Sequence, residues 1–244
     1  MFKGPVYFLD EPMAPSGDKL VLRQGPQPIE VFTTNEPHWQ IYRWSRKTHP
    51  GLTKIIWSRD GNSLLALKSS PSKSKAYPYV LAFYRPDGKE LNEIPFSNFI
   101  KYVKEIKFGP EGTTIYAHTE HHGKMQAIDM YDLKDPQSGW RTLVTSPDTI
   151  FEWEVGPGGL LVYNHYAEEN GYYNYIFSSS IELRGLWLYQ KDMERPIRLT
   201  GYADRVLAIS PDGNTILFGR ERPDPRSSQY PIQSDIMQLT RSRN

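Results

Sequence analysis

The sequence predicts an all-β protein, a β-propeller of five four-stranded blades, and three observations predict it. One turn phrase recurs along the chain, at a spacing of roughly 49 residues, which lies in the range of propeller repeats. Short apolar, β-prone runs fall between its copies in numbers sufficient for about four strands per repeat. No segment sustains apolar residues at three- and four-residue spacing beyond about two turns, as an amphipathic helix would.

The clearest copy of the phrase is Ser210-Pro211-Asp212-Gly213-Asn214-Thr215, set between Val206, Leu207, Ile209 and the run Ile216 to Phe218. Asp-Gly between two apolar runs is a strong hairpin signal, because the glycine takes the positive φ that the turn needs. Further copies are Ser58-Arg59-Asp60-Gly61-Asn62 after Ile55-Ile56-Trp57, and Gly109-Pro110-Glu111-Gly112 after Ile106 and Phe108. Gly156-Pro157-Gly158-Gly159 is a shortened copy, and Ala14-Pro15-Ser16-Gly17 is the most altered. Turns centred on Gly17, Gly61, Gly112, Gly159 and Gly213 describe one propeller domain over residues 1–244.

Each repeat then fills in order. Repeat one takes Leu20-Val21-Leu22, Ile29 to Thr33 and Trp39 to Ser45, punctuated by Gly25-Pro26 and Asn35-Glu36-Pro37. Repeat two takes Leu64 to Lys68, then Tyr79 to Tyr84 paired with Glu90 to Phe96 across Arg85-Pro86-Asp87-Gly88, a second kind of Asp-Gly hairpin. Repeat three takes Ile115 to His118, Met125 to Leu133 and Arg141 to Thr145. Repeat four takes Leu160 to Tyr163, an insertion from Asn164 to Arg184, then Leu186 to Tyr189 and Arg198-Leu199-Thr200. Repeat five takes Ile216 to Phe218, a loop from Arg220 to Gln233, and a third strand within Ser234 to Ser242. The early run Val6-Tyr7-Phe8 is expected to supply the outer strand of the last blade, so that the termini close the ring and leave no open edge. The competing reading is a fragment of a six- or seven-bladed propeller.

Composition bounds the function classes. The 244 residues suit one domain with a sizeable core. Lys+Arg is 29 and Asp+Glu is 28, a net charge of +1, so neither a nucleic-acid groove nor an anionic membrane surface is the default partner. With no cysteine, disulfides and thiolate metal sites are ruled out, which suits a reducing compartment. A cytoplasmic location is expected, or a periplasmic or extracellular one if a leader was removed. No apolar run approaches the about 18 residues of a membrane span. The 16 tyrosines and 20 prolines fit short strands and surface loops.

The phrase Ser-Pro-Asp-Gly before an apolar strand resembles the repeat of TolB-like β-propellers, which also occurs in propeller domains of prolyl-oligopeptidase-type peptidases. The strand Leu186-Trp187-Leu188-Tyr189 followed by Arg198-Leu199-Thr200 is similar to the Leu-Trp-hydrophobic-Tyr strand and Arg-Leu-Thr ending of that repeat. The resemblance covers most of the chain and implies a fold, not an activity. The sequence has no Gly-x-Ser-x-Gly elbow, so the peptidase of such relatives has no anchor here.

Propeller geometry would gather the long loops on the face opposite the repeated turn, and loops on a rigid scaffold are where binding resides. The sequence therefore points to a non-catalytic, protein-binding scaffold, a subunit of a larger assembly, with no cofactor. The leading contact candidates are Tyr166, Tyr172, Tyr173 and Tyr175 of the insertion, because tyrosine offers contact area at small entropic loss. Arg220, Arg222 and Arg226 can grip carboxylates or phosphates, although Glu221 and Asp224 between them favour local pairing. His121 and His122 lack a third ligand at metal spacing, so they are read as contact residues and no metal is expected. The alternative is a carbohydrate-active hydrolase or an ion- or small-ligand-binding propeller. It would use carboxylates at a channel mouth: Asp10, Glu105, Glu152, Glu154 and Asp204.

Overall fold

The repeated phrase folds as the sequence requires. In the computed structural model, Gly61 donates its N–H to Ser58 O at 2.9 Å and takes φ 68°, while Gly213 donates to Ser210 O at 2.8 Å and takes φ 71°. The polar residues staple the bend. Ser58 Oγ donates to Asp60 Oδ1 at 2.5 Å, and the same carboxylate oxygen accepts Asn62 N–H at 3.0 Å. Ser210, Asp212 and Asn214 repeat this at 2.5 and 3.0 Å. Side chains of Ser, Asp and Asn bonding to nearby backbone are what makes them turn formers. The structure describes residues 12–23, 28–35, 38–45, 47–69, 79–123, 125–146, 149–166, 185–191, 193–200, 204–223 and 232–240.

Five sheets follow one another along the chain. The first holds β1 (Lys19–Arg23), β2 (Ile29–Asn35) and β3 (His38–Trp44) in that order. The second holds β4 (Leu52–Trp57), β5 (Leu64–Ser69), β6 (Tyr79–Tyr84) and β7 (Glu90–Pro95). The third holds β8 (Ile100–Phe108), β9 (Thr114–His121), β10 (Gln126–Asp132) and β11 (Trp140–Ser146). The fourth holds β12 (Thr149–Val155), β13 (Leu161–Tyr166), β14 (Leu186–Tyr189) and β15 (Ile197–Arg198). The fifth holds β16 (Asp204–Ile209), β17 (Thr215–Pro223) and β18 (Ile232–Thr240). Within each sheet the strands lie in chain order, and the second sheet's pairings are antiparallel throughout.

Two compact units divide the chain: residues 1–122 with 131–140, and residues 123–130 with 141–244. In the first unit, successive residues of one strand serve two cores. Leu64 and Ala66 of β5 join the cluster of Val21, Val31 and Trp44, whereas Leu65 and Leu67 join that of Phe96, Ile106 and Phe108. A sheet buried on both faces needs apolar residues at every position, which explains the unbroken run Leu64-Leu65-Ala66-Leu67. In the second unit, Val162 and Leu186 of the fourth sheet pack on Ile216 and Phe218 of the fifth. The other face of the fifth sheet leaves Leu207, Leu217 and Ile236 exposed, Ile236 at 77%.

Among the described residues the first and last sheets have three strands each. Before β1, residues Pro12 to Ala14 run alongside it: Val21 N–H donates to Pro12 O at 2.7 Å and Ala14 N–H to Lys19 O at 2.9 Å. The arm thus enters the first sheet, while the proposed pairing of Val6 to Phe8 with the last blade lies outside the described residues. Finally, the loop expected from Arg220 to Gln233 is shorter, because β17 continues through Arg220 and Arg222 to Pro223 and pairs with β18 along its length.

Candidate functional site

One described part of the predicted contact face lies in the first unit, where β8 begins and β9 ends. A register shift between Ile100 and Tyr102 breaks the inside–outside alternation of β8. Ile100 stays buried, while Lys101 and Tyr102 both turn to solvent. Phe99 is 38% exposed and Tyr102 47%. Neither ring is loose. Phe99 stands edge-on to His121 with ring centres 4.8 Å apart, and His122 N–H donates to Phe99 O at 3.0 Å. The Lys101 ammonium sits 4.8 Å from the centre of the Tyr102 ring and pairs with Glu120 at 3.1 Å. Burial, and then the Tyr102 hydroxyl, push the Tyr79 phenol above its ordinary value.

Of the sequence candidates, His121 and His122 belong to this patch, with His121 at the end of β9 and not in a loop. Among the described residues no three His, Cys, Asp or Glu side chains gather as a metal site. Tyr166 ends β13 opposite Thr149, whereas Tyr172, Tyr173, Tyr175 and Arg226 lie outside the described residues. Arg220 lies over the Phe218 ring at 5.5 Å, so a strand holds it, and Arg222 pairs through its backbone with Gln233. Lys101 and Tyr102 escaped the sequence reading because the register shift that exposes both has no signature in residue type; Phe99 lies in the turn just before β8.

The carboxylates do not read as a set. Glu105 lies in β8 and pairs with Lys107 at 3.6 Å. Glu152 and Glu154 lie in β12, where Glu154 Oε1 accepts the N–H of Val155 at 3.2 Å and Glu152 N–H donates to Asn164 Oδ1 at 2.8 Å. Asp204 opens β16 and pairs through its backbone with Arg220, and Asp10 is outside the described residues. A tighter titratable group, unforeseen from the sequence, is built on the second sheet. Lys68 meets Glu90 at 3.2 Å and also Glu93, and Tyr84 donates its hydroxyl to Glu90 at 2.8 Å. Burial and then the Glu90 bond drive the Tyr84 phenol far up. Burial disfavours charge on Glu90, but the bonds from Tyr84 and Lys68 outweigh it and lower its carboxyl. Each member of that group is committed to another, which suits bracing of β5 to β7.

The second unit holds a cavity of about 590 Å³ between the fourth and fifth sheets. Leu188, Met193, Ile197 and Leu199 line one wall, and Ile216 and Leu239 the other. Asp212 is the one charged residue of its described lining. Bonds from Ser210 Oγ and then from Asn214 hold its carboxyl down at about 2, so it is an anion at neutral pH.

No protein-family model and no curated protein sequence matches the chain. Solved structures do. The tricorn protease superposes at TM-score 0.59 and 10% identity, over 96% of this chain and 22% of its own. A putative TolB from Agrobacterium tumefaciens gives 0.57 and 14%, over 98% and 79%. The β-propeller domain of the trilobed protease from Pyrococcus furiosus, described as having an open velcro topology, gives 0.55 and 12%, over 94% and 68%. In fold, the chain resembles TolB-like β-propellers. Its sheets correspond to propeller blades, and it spans about a fifth of the tricorn protease chain. Identities this low speak to the propeller fold alone. No helix among the described residues is long and apolar enough to cross a membrane.

Proposed function

We propose that the chain is a non-catalytic protein-binding scaffold within a larger assembly, and that Phe99 and Tyr102 are part of its contact surface. The observation that carries this reading is a pair of exposed aromatic rings already held in place, Phe99 against His121 and Tyr102 under Lys101. Exposed aromatics offer large contact area with a polar tip, and rings that are pre-ordered lose little entropy when covered. The Lys101–Glu120 pair beside them supplies a polar rim.

The test is affinity purification from the native source with Phe99→Ala/Tyr102→Ala, beside a deletion of residues 168–175. Loss of a hot-spot aromatic typically weakens binding by about 2 kcal/mol or more, roughly thirtyfold. The double variant should therefore lose its specific partner while keeping the wild-type melting temperature. Equal recovery of every partner by that variant overturns the assignment of this surface. Loss by the deletion alone would place the contact on the insertion.

A further inference from the structure

Among the described pairings, the first strand of each of the last four sheets breaks register with its neighbour, and β8 does so twice. Ile100 faces His121, Tyr102 faces Glu120, Val103 faces Thr119 and Glu105 faces His118, so Lys101 and Lys104 are each the extra residue of a bulge. A bulged residue has no partner opposite it, and its side chain is re-aimed out of the alternation. Both lysines are exposed, and the exposed ring of Tyr102 stands between them in the chain. In β4 the shift spans Thr53 and Lys54, in β12 Phe151 and Glu152, and in β16 it falls at Leu207. The bulge therefore belongs to the repeat, whereas the paired lysines belong to β8. Lys101 pairs with Glu120 at 3.1 Å, but an ion pair whose cation is 42% exposed is weak and exchanges partners readily. Lys104 has no ion pair among the described residues. The stretches outside the described residues that lie closest along the chain, 70–78 and 124, contain Lys73, Lys75 and Lys124 and no carboxylate, so they add to the positive charge.

We propose that the protein partner covering Phe99 and Tyr102 presents an acidic segment, whose carboxylates meet Lys101 and Lys104 while an apolar side chain lies against the exposed rings. The inference rests on the protein-binding reading above and adds the chemistry of the partner. Charge complementarity sets the sign of the segment. Spacing sets its kind: residues three apart on a strand have Cα atoms up to roughly 10 Å apart, a span that suits two carboxylates on one chain better than a single phosphate. The rings set the apolar element, because aromatic surface beside a polar rim is what a partner's apolar side chain covers. Clustered cations are a recurrent way to read an acidic peptide motif.

The probe is a fluorescein-labelled peptide, Glu-Asp-Leu-Phe-Glu-Asp-Leu-Glu, titrated into the whole protein by fluorescence anisotropy beside its neutral Gln/Asn counterpart. The proposal expects saturable binding of the acidic peptide and at least tenfold weaker binding of the neutral one. It also expects at least a tenfold loss between about 50 and 500 mM salt, because exposed charges are screened. Lys101→Ala/Lys104→Ala should weaken the acidic peptide at least tenfold at an unchanged melting temperature, since both side chains are exposed. Lys104→Arg, which keeps the charge, should bind it as wild type does. Equal binding of the two peptides, or undiminished binding by the double lysine variant, overturns the proposal. Displacement of the peptide by inorganic phosphate, beyond that by chloride at equal ionic strength, overturns it in favour of a phosphate site. Purification from the native source separates the two readings. A partner lost by Phe99→Ala/Tyr102→Ala but recovered in full by Lys101→Ala/Lys104→Ala keeps the contact surface and removes its acidic ligand. A partner lost by neither variant removes both.

Discussion

The junction between the first two sheets and the junction between the last two are made from the same repeat, yet one is filled to its rim and the other is not. Trp44 is 1% exposed and meets His49, Tyr84 and the carbonyl of Pro86. The hairpin comes so near that a Cβ on Gly88, which takes φ 88°, would lie 3.0 Å from the indole nitrogen. Leu188, in the last junction, faces the 590 Å³ cavity. The turns themselves do not differ: Gly61 and Gly213 share a conformation and a staple. The difference teaches that the turn phrase starts a blade, whereas a bulky side chain at the periphery locks one blade to the next.

That contrast can be broken by experiment, beginning where the effect is largest. Trp44→Ala should lower stability by about 3–5 kcal/mol, the usual loss for a buried indole, read from urea midpoints. Leu188→Ala should cost only about 1 kcal/mol, because the removed methyls already face open space and no new cavity is created. Equal losses at the two positions would mean that the last junction is packed like the first. The turn is the internal control. Asp212 has its carboxyl lowered to about 2 from 3.8, so its contribution is present above pH 3.8 and fades as the pH falls toward 2. Asp60 is lowered in the same direction, by Ser58 first and then by the Asn62 backbone. The gap in urea midpoint between wild type and Asp212→Asn should therefore close between about pH 4 and 2. A gap that stays constant over that range would show that the staple does not depend on charge. The smallest effect is expected at Ile236, 77% exposed. Ile236→Ser should change stability by less than about 0.5 kcal/mol, and a larger loss would reveal that this face is covered in solution.

Much of the architecture was legible in residue type. Asp-Gly and its partners announced turns at the glycines that take positive φ, and the apolar runs between them became strands, several of them longer than the runs. Legibility failed where pairing across strands decides the outcome. Arg220 and Arg222 looked like loop residues among Pro223, Asp224 and Pro225, yet β18 offers a nine-residue partner that carries β17 on to Pro223. Tyr102 was passed over because a bulge, and not a pattern, turns it outward. The cavity left no trace in the sequence, since it depends on how the fourth and fifth sheets pack and not on neighbours along the chain.

By itself the sequence determined the repeat, the turns and the apolar content of each strand, because these depend on neighbours along the chain: a glycine that can take positive φ, an aspartate that can reach the next amides. Only the tertiary structure decided which rings stay exposed, which carboxylates are tied up in bonds, and which junction is filled. Those outcomes depend on atoms that meet from distant parts of the chain, such as Trp44 with Pro86 and Trp140 with Pro95.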